Sequence, residues 1–355
     1  MATDSLPTAS AVTIFYKTTD GIHIGSKSDG DKGLQLEHIH YFSIGKYCDS
    51  IAQVWRLDSG HCLLRTLRYI IRGLRHPVGS IKWASTLMQA PVLRQWFSTN
   101  PRLLLKPSRH YISRCHSFRA RAQIICNHYT ALPRLLSPAA IRTLSQGHHL
   151  PLATLTGKKG GEFRVSLQRT DKFDREGELA LVLQESHRNQ NIFHLIFSLN
   201  SINGRSRMEI GCIQGPQCAH GKELLKQTTK ELHGIRPRNL MIDVAYAISA
   251  AWDIVDRYGV CNQSRIYNGK DTHADYDTLW LEIGATRDRD GMFRLPASQH
   301  HHPLEEIPSH HRAEYRRRIA LRAELKEKIL AGAQALRPEG SPGINTRTTA
   351  NPCLF

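Results

Sequence analysis

Four apolar segments between residues 163 and 213 are joined by connections too short and too polar for anything but turns, and this fixes the centre of the fold. Phe163, Val165 and Leu167 alternate with Arg164, Ser166 and Gln168, the period of two of a half-buried strand. Leu179–Leu183 is a continuous apolar run, and Ile192–Leu199 and Met208–Ile213 follow it. Asp174-Arg175-Glu176-Gly177 and Ser201-Ile202-Asn203-Gly204 carry turn chemistry, since Asn-Gly adopts the positive φ angles of a tight hairpin at little cost. A parallel neighbour would need a crossover of about a dozen residues or more. The expectation is an antiparallel meander.

Beyond it the period changes. Gln214-Gly215-Pro216 stops the last strand, and Lys222–His233 reads as a helix ended by Gly234. Pro237 and Asn239 open a second helix, with Asn239 the expected N-cap. Val244, Ile248, Ala251, Trp252 and Val255 keep helical spacing up to Gly259. A strand over Val260–Tyr267, a helix carrying Tyr276, Leu279, Trp280 and Ile283 up to Gly284, a strand at Met292–Leu295 and a charged helix from Ser309 complete the half. Trp252 and Trp280 fall on apolar stripes and belong in the core.

The fold class expected is therefore α+β: a basic, mostly helical N-terminal half followed by an antiparallel-meander α/β domain. Its boundaries are a flexible segment over 1–45, a basic helical region over 46–155, an α/β domain with a C-terminal helix over 156–336 and a disordered tail over 337–355. Gly157-Lys158-Lys159-Gly160-Gly161 reads as the linker. A chain of 355 residues has room for roughly two domains of ordinary size.

Charge is as uneven as periodicity. The net charge is +17, yet His61–Gly161 contains no Asp or Glu and carries 16 Lys and Arg, so the rest of the chain is close to neutral. Such a block builds a positive potential that attracts polyanions. Within it, Leu63, Leu64, Leu67, Ile70, Ile71 and Leu74 recur at helical spacing, while Arg65, Arg68, Arg72 and Arg75 line an adjacent stripe. Arg109–Arg114 continues through Arg119 and Arg121 into an apolar helix near Ala122–Leu132. The plain interpretation is a packing helix whose arginines face water. The sharper one makes Arg65, Arg68, Arg72, Arg75, Arg119 and Arg121 an anion-binding face for a membrane surface or a lipopolysaccharide precursor. Nucleic acid is the alternative partner, but the aromatics Trp83, Trp96, Phe97, Tyr111, Phe118 and Tyr129 do not form a spaced stacking platform.

Met1–Ser10 lacks a basic stretch followed by an apolar run, and Leu240–Val255 is short for a membrane span and holds Asp243 and Asp253. Eight cysteines without a CxxC pair are expected as free thiols. A cytoplasmic protein, peripheral at the inner membrane, fits these features. His300–His302 with His310-His311, and Cys212 with Cys218 and His220, lack the ligand spacing of a tetrahedral metal site, so no metal is expected.

Several ordered motifs carry a resemblance. Ser117-Phe118-Arg119-Ala120-Arg121-Ala122, Asn127-His128-Tyr129, Gly211-Cys212-Ile213-Gln214-Gly215-Pro216, the run from Leu232 to Met241, Asp275-Tyr276-Asp277, the run from Asp290 to Pro296, and Tyr315-Arg316-Arg317-Arg318 resemble the VirK/YbjX family of Gram-negative bacteria over roughly residues 50–325. The resemblance implies a cell-envelope context, since members are linked to virulence, antimicrobial-peptide resistance and placement of a surface protein. It implies no reaction.

A looser likeness concerns fold. The meander, the glycine-containing loop, the helices and the final strands are similar to a GNAT acyltransferase core. That likeness implies acyl-CoA or acyl carrier protein as donor, with Gln214, Gly215 and Gly221 holding its phosphates at a helix start. It makes Glu209 the proton acceptor and the Tyr276 hydroxyl the donor to the departing thiolate. Pro216 removes one N–H from that loop, and Trp280 stands where such enzymes often place a tyrosine. On strand period alone, Glu209 points away from Met208 and Ile210 as a solvated carboxylate. His233 and Arg236 flank a helix end, where they either complement its dipole or hold an anion.

Overall fold

A computed structural model describes residues 17–18, 21–22, 71, 75–267, 274–299 and 303–339. Two compact units are present, Met1–Tyr41 and Phe42–Phe355. In the first, β1 (Lys17–Thr18) pairs antiparallel with β2 (Gly21–Ile22). The expectations for the rest of 1–45, for most of the 61–75 helix and for the tail after residue 339 fall outside the described residues.

The second unit begins with α1 (Pro77–Gln89) and α2 (Pro91–Thr99), each opened by a proline at its first turn, where the missing N–H costs nothing. A 3-10 segment, Pro101–Ser108, leads towards α3 (Phe118–Leu135), and α4 (Pro138–Ser145) follows. Ser117 and Ser137 cap α3 and α4 by accepting from the amides of Ala120 and Ala140.

One eight-stranded sheet follows, in the order β3-β4-β5-β6-β7-β8-β10-β9. Its strands are β3 (Leu150–Thr156), β4 (Glu162–Arg169), β5 (Leu179–Glu185), β6 (Gln190–Ile202), β7 (Arg205–Gln214), β8 (Asp256–Val260), β9 (Thr286–Arg287) and β10 (Met292–Arg294). Every neighbouring pair is antiparallel except β7 with β8. That parallel pair needs a crossover, which α5 (Gly221–Glu231) and α6 (Pro237–Ala251) supply. α7 (Tyr276–Glu282) sits between β8 and β9 in sequence, and α8 (Arg312–Ala335) packs on α6 and β3. The α+β class is as expected. A meander, one parallel junction and an antiparallel final pair make up the sheet.

Four details differ from the expectation. Leu150–Thr156 is a strand paired with β4, so the glycine-rich stretch over 157–161 turns a hairpin and joins no two domains. Alternation there is masked by Pro151 and two threonines, and α3 packs directly on β6. α6 stops at Ala251 because Asp253 takes a φ of 54°. β8 then starts at Asp256 and includes Gly259, which the sequence reading gave to the end of the helix. Arg236, not Asn239, is the N-cap residue of α6, because Pro237 takes the first helical position.

Candidate functional site

The basic half presents several exposed cations: Arg75, Lys82, Arg94, Arg119 and Arg142 all face solvent. Lys106 and Arg109 meet carboxylates arriving from the sheet region, at Glu178 and Asp174. Arg121 turns inward and donates to the backbone oxygens of Ser117 and Arg109, so this candidate is half-buried and supports the chain entering α3. Arg65, Arg68 and Arg72 lie outside the described residues. A groove of about 390 Å³ opens between the first turns of α1 and α3, formed by His76–Gly79 and Ser117–Arg119. The His76 and Phe118 rings lie 5.0 Å apart there, and Gly79 allows the closeness: a Cβ on it would come within 2.8 Å of the Phe118 ring.

Of the acyltransferase candidates, Glu209 lies within β7, and Tyr276 of α7 reaches Ile213 near the end of the same strand. β7 and β8 pair from Arg207 with Asp256 to Ile210 with Gly259, and pairing ends there. Side chains one turn apart on α7 take the backbone groups beyond. The Ile213 amide donates to the Tyr276 hydroxyl at 2.9 Å, and that hydroxyl lies 3.1 Å from the Ile213 oxygen. The Trp280 indole donates to the Val260 oxygen at 2.9 Å. Burial first, then the neighbouring Cys212, pushes the Tyr276 hydroxyl well above its ordinary pKa. A Tyr hydroxyl in this setting stays protonated and serves as a structural bridge.

Glu209 is fully buried, which corrects the solvated carboxylate expected from strand period. Alternation fixes the face a residue points to but not whether that face is covered. Here Asn200 donates to Glu209 at 2.7 Å and the Arg207 guanidinium pairs with it, while Arg207 itself lies over the Tyr258 ring. Asn200 in turn accepts from Asn127 of α3 at 2.8 Å. The candidate base is thus held by donors on β6 and β7.

The loop over 214–220 closes on itself. Gln214 donates to the Gly215 oxygen, and the Gly221 amide donates to Cys218 at 2.9 Å. Gly221 is buried under Pro216, whose oxygen would lie 3.0 Å from an added Cβ. His233 ends α5 with a φ of 54°, and its oxygen accepts from Arg318 of α8 at 2.7 Å. Arg236 is exposed as the cap residue of α6.

A polar cluster that the sequence reading missed joins the two halves. Glu178, just before β5, accepts from Lys106 at 2.6 Å, from Tyr111 at 2.7 Å and from Tyr129 at 2.7 Å. Tyr111 and Ser198 share a hydrogen bond of 2.6 Å, and Ser198 receives the Glu178 amide. Burial opposes charge on Glu178, but the Lys106 ammonium, His128 and the bonded donors overcome it and hold the carboxyl below its usual range. His128 accepts the Leu199 amide at 3.1 Å, and burial pushes its pKa down to about 4. A lysine after Leu103-Leu104-Leu105 and a glutamate before Leu179–Leu183 are charges set in apolar runs, and that was the available signal.

A second titratable group, Glu176, has its pKa pushed by burial up to about 7, with the Cys212 thiol beside it. Gly211 permits this contact, because a Cβ there would fall 2.0 Å from the Glu176 backbone oxygen. Among the described residues no three metal-binding side chains gather. Cys115, Cys212, Cys218 and Cys261 are free thiols as expected, whereas Cys126 is disulfide-bonded, which corrects the all-thiol expectation. No described helix is long and apolar enough to cross a membrane.

Comparison with known proteins gives relatives without a described reaction. The chain is 28% identical over 262 residues to the uncharacterized protein YbjX of Escherichia coli (strain K12), covering 72% of this chain and 79% of the relative. It is 25% identical over 270 residues to an uncharacterized protein of Haemophilus influenzae, covering 74% and 87%. It is 27% identical over 190 residues to the membrane protein LapB of Mannheimia haemolytica, covering 52% and 78%. Among solved structures, a cAMP-binding acyltransferase from Mycobacterium smegmatis aligns with a TM-score of 0.27 at 10% identity, over 52% of this chain and 56% of that one. The model of the family described as "Protein of unknown function (DUF535)" matches residues 60–331, and the chain belongs to that family.

Proposed function

We propose that this protein docks peripherally on an anionic, phosphate-bearing membrane surface through its basic helical half and acts there in the integrity of the cell envelope. The observation behind this reading is the imbalance over residues 61–161. Carboxylates from the sheet region reach Lys106 and Arg109, while Arg75, Lys82, Arg94, Arg119 and Arg142 stay exposed with no acidic residue in their own stretch of chain. Each basic side chain near an anionic bilayer contributes about 1 kcal/mol. Those of the five that reach one surface together would give usable affinity, and no described helix has to cross the membrane. The Mannheimia relative is named a membrane protein, which agrees with this setting. The family resemblance supplies the cell-envelope context, with effects on antimicrobial-peptide resistance or virulence, and the sequence features argue for a place on the cytoplasmic face of the inner membrane.

Flotation with phosphatidylglycerol vesicles against phosphatidylcholine vesicles tests the reading. Binding to the anionic vesicles alone is expected, falling at least about fivefold for each of Arg75→Glu, Arg94→Glu and Arg119→Glu. Equal recovery with both vesicle types would remove the basis for it. Nucleic acid is the competing outcome, recognised by duplex binding whose affinity falls steeply with salt.

Acyl transfer is the second reading, and the strand order with its parallel β7–β8 pair favours it. It requires a donor in the interval where Tyr276 and Trp280 now bond β7 and β8. Thermal-shift titration with acetyl-CoA, long-chain acyl-CoA and acyl carrier protein separates the readings. Stabilisation by a donor, together with transfer that is lost in Glu209→Gln, supports this reading, and an unmoved melting curve with every donor opposes it.

A further inference from the structure

We infer that the groove between the first turns of α1 and α3 seats the acyl chain of a single anionic phospholipid, with its phosphate met by Arg75 and Arg119. The inference rests on the membrane-docking reading and names a ligand for it. The groove holds about 390 Å³. An apolar cavity of about 150 Å³ is enough to take up benzene, so several methylene groups fit. Its walls are mostly carbon: the Phe118 ring, Pro77, Val78 and the face of the His76 imidazole. Val78 is left 66% exposed at this wall, a large aliphatic side chain in water at the start of a helix that buries Trp83, Ala84 and Leu87. Val78 extends the carbon walls of the groove into one continuous apolar surface, which an acyl chain can cover.

Charge selects which partner. Arg119 forms part of the groove and is exposed, and Arg75 directly precedes the His76 wall and is exposed too. Among the described residues no carboxylate lines the groove, and none occurs in the sequence from His61 to Gly161. A polynucleotide would meet the arginines and leave the carbon walls wet. A neutral lipid would fill the walls and leave the arginines unanswered. An amphiphile with a phosphate head and one short reach of chain answers both.

Titration calorimetry of the full chain with hexanoyl, octanoyl and decanoyl lysophosphatidate, each below its micelle concentration, tests this against glycerol 3-phosphate. Every methylene that enters the groove should tighten binding about fourfold, so hexanoyl to octanoyl gains on the order of fifteenfold. Glycerol 3-phosphate, which has the head and no tail, should bind more weakly than every acylated probe. Val78→Glu should weaken decanoyl binding at least tenfold. Val78→Ser, which adds no repulsion, should lose part of the chain-length dependence. Arg119→Glu should weaken all acylated probes alike. Affinity independent of chain length, or unchanged in Val78→Glu and Val78→Ser, overturns the inference. If anionic vesicles still float the protein in that case, only the groove assignment falls. If vesicles fail as well, the docking reading falls with it.

Discussion

The indole of Trp280 lies against the α-carbon of Gly259 so closely that a Cβ there would fall 2.3 Å from the ring. Glycine is a poor strand residue, yet this position in β8 needs one, because the ring occupies the space of a side chain. The contact fixes α7 over the end of the β7–β8 pair. From there Tyr276, one turn earlier, reaches Ile213.

Gly259→Ala should therefore destabilise the fold by about 1–3 kcal/mol, the usual cost of overpacking. Trp280→Leu alone loses the bond to Val260 and much buried carbon, at about 3 kcal/mol. Combined, the two should cost clearly less than the sum of the single variants, since the smaller side chain makes room for the methyl. Urea unfolding of all four proteins closes the cycle, and simple additivity would show that the contact does not constrain β8.

Lys106 and Glu178 form a fully buried pair with two tyrosine donors around it. Removing one partner strands a charge away from water, so Lys106→Met should cost about 3–5 kcal/mol. The double variant Lys106→Met/Glu178→Leu should recover much of that loss, because two apolar groups then face each other. Chemical denaturation measures both. A Lys106→Met protein as stable as the parent would mean that the pair is hydrated in solution.

Opposing titrations set the pH dependence. His128 has a folded pKa of about 4 against an ordinary 6.5, so the unfolded chain binds the extra proton and stability is lost as pH falls from 6.5 towards 4. Protonation would also set an N–H against the Leu199 amide. For this fully buried ring the loss is about 3 kcal/mol. Glu176 works the other way: its folded pKa of about 7 lies above the ordinary 4.5, so its contribution is full below 4.5 and is lost as pH rises through 7. Between pH 4.5 and 6.5 the two trends offset. Glu176→Gln should expose the His128 trend as a steeper acid loss in melting temperature, and an unaltered pH profile would place Glu176 in contact with water.

Thiol chemistry follows exposure. Cys115 and Cys218 are exposed and should react with Ellman's reagent in the folded protein. Cys212 and Cys261 are buried and should react only on unfolding. For Cys212, burial and the neighbouring Glu176 also raise the thiol pKa, which lowers its reactivity further. Rapid modification of Cys212 in native buffer would show that the sheet opens near Gly211.

How much of this was legible in the sequence depended on distance along the chain. Alternation in Phe163–Leu167 and the Asn203-Gly204 turn are local signals, and β4 to β7 lie where those signals put them. β3 was missed because Pro151 breaks its pattern and its burial comes from α8, more than 150 residues away. β8 was misplaced because a glycine normally ends an element, whereas Gly259 serves the indole of a residue 21 positions on. Glu209 carried a correct strand direction and a wrong environment, since Asn127, which anchors its partner Asn200, belongs to the other half. The pairing of Lys106 with Glu178 spans 72 residues and has no local trace beyond two charges in apolar runs.

The bond between Lys106 and Glu178 also decides how this molecule can be divided. A fragment ending before residue 150 would keep the ammonium, Tyr111 and Tyr129 and lose the carboxylate that all three address. Such a piece would expose a polar pit lined by an unanswered cation. The cationic part is therefore no detachable adaptor that could be grafted onto another protein. Whatever it recognises, it presents only while the sheet behind it is assembled.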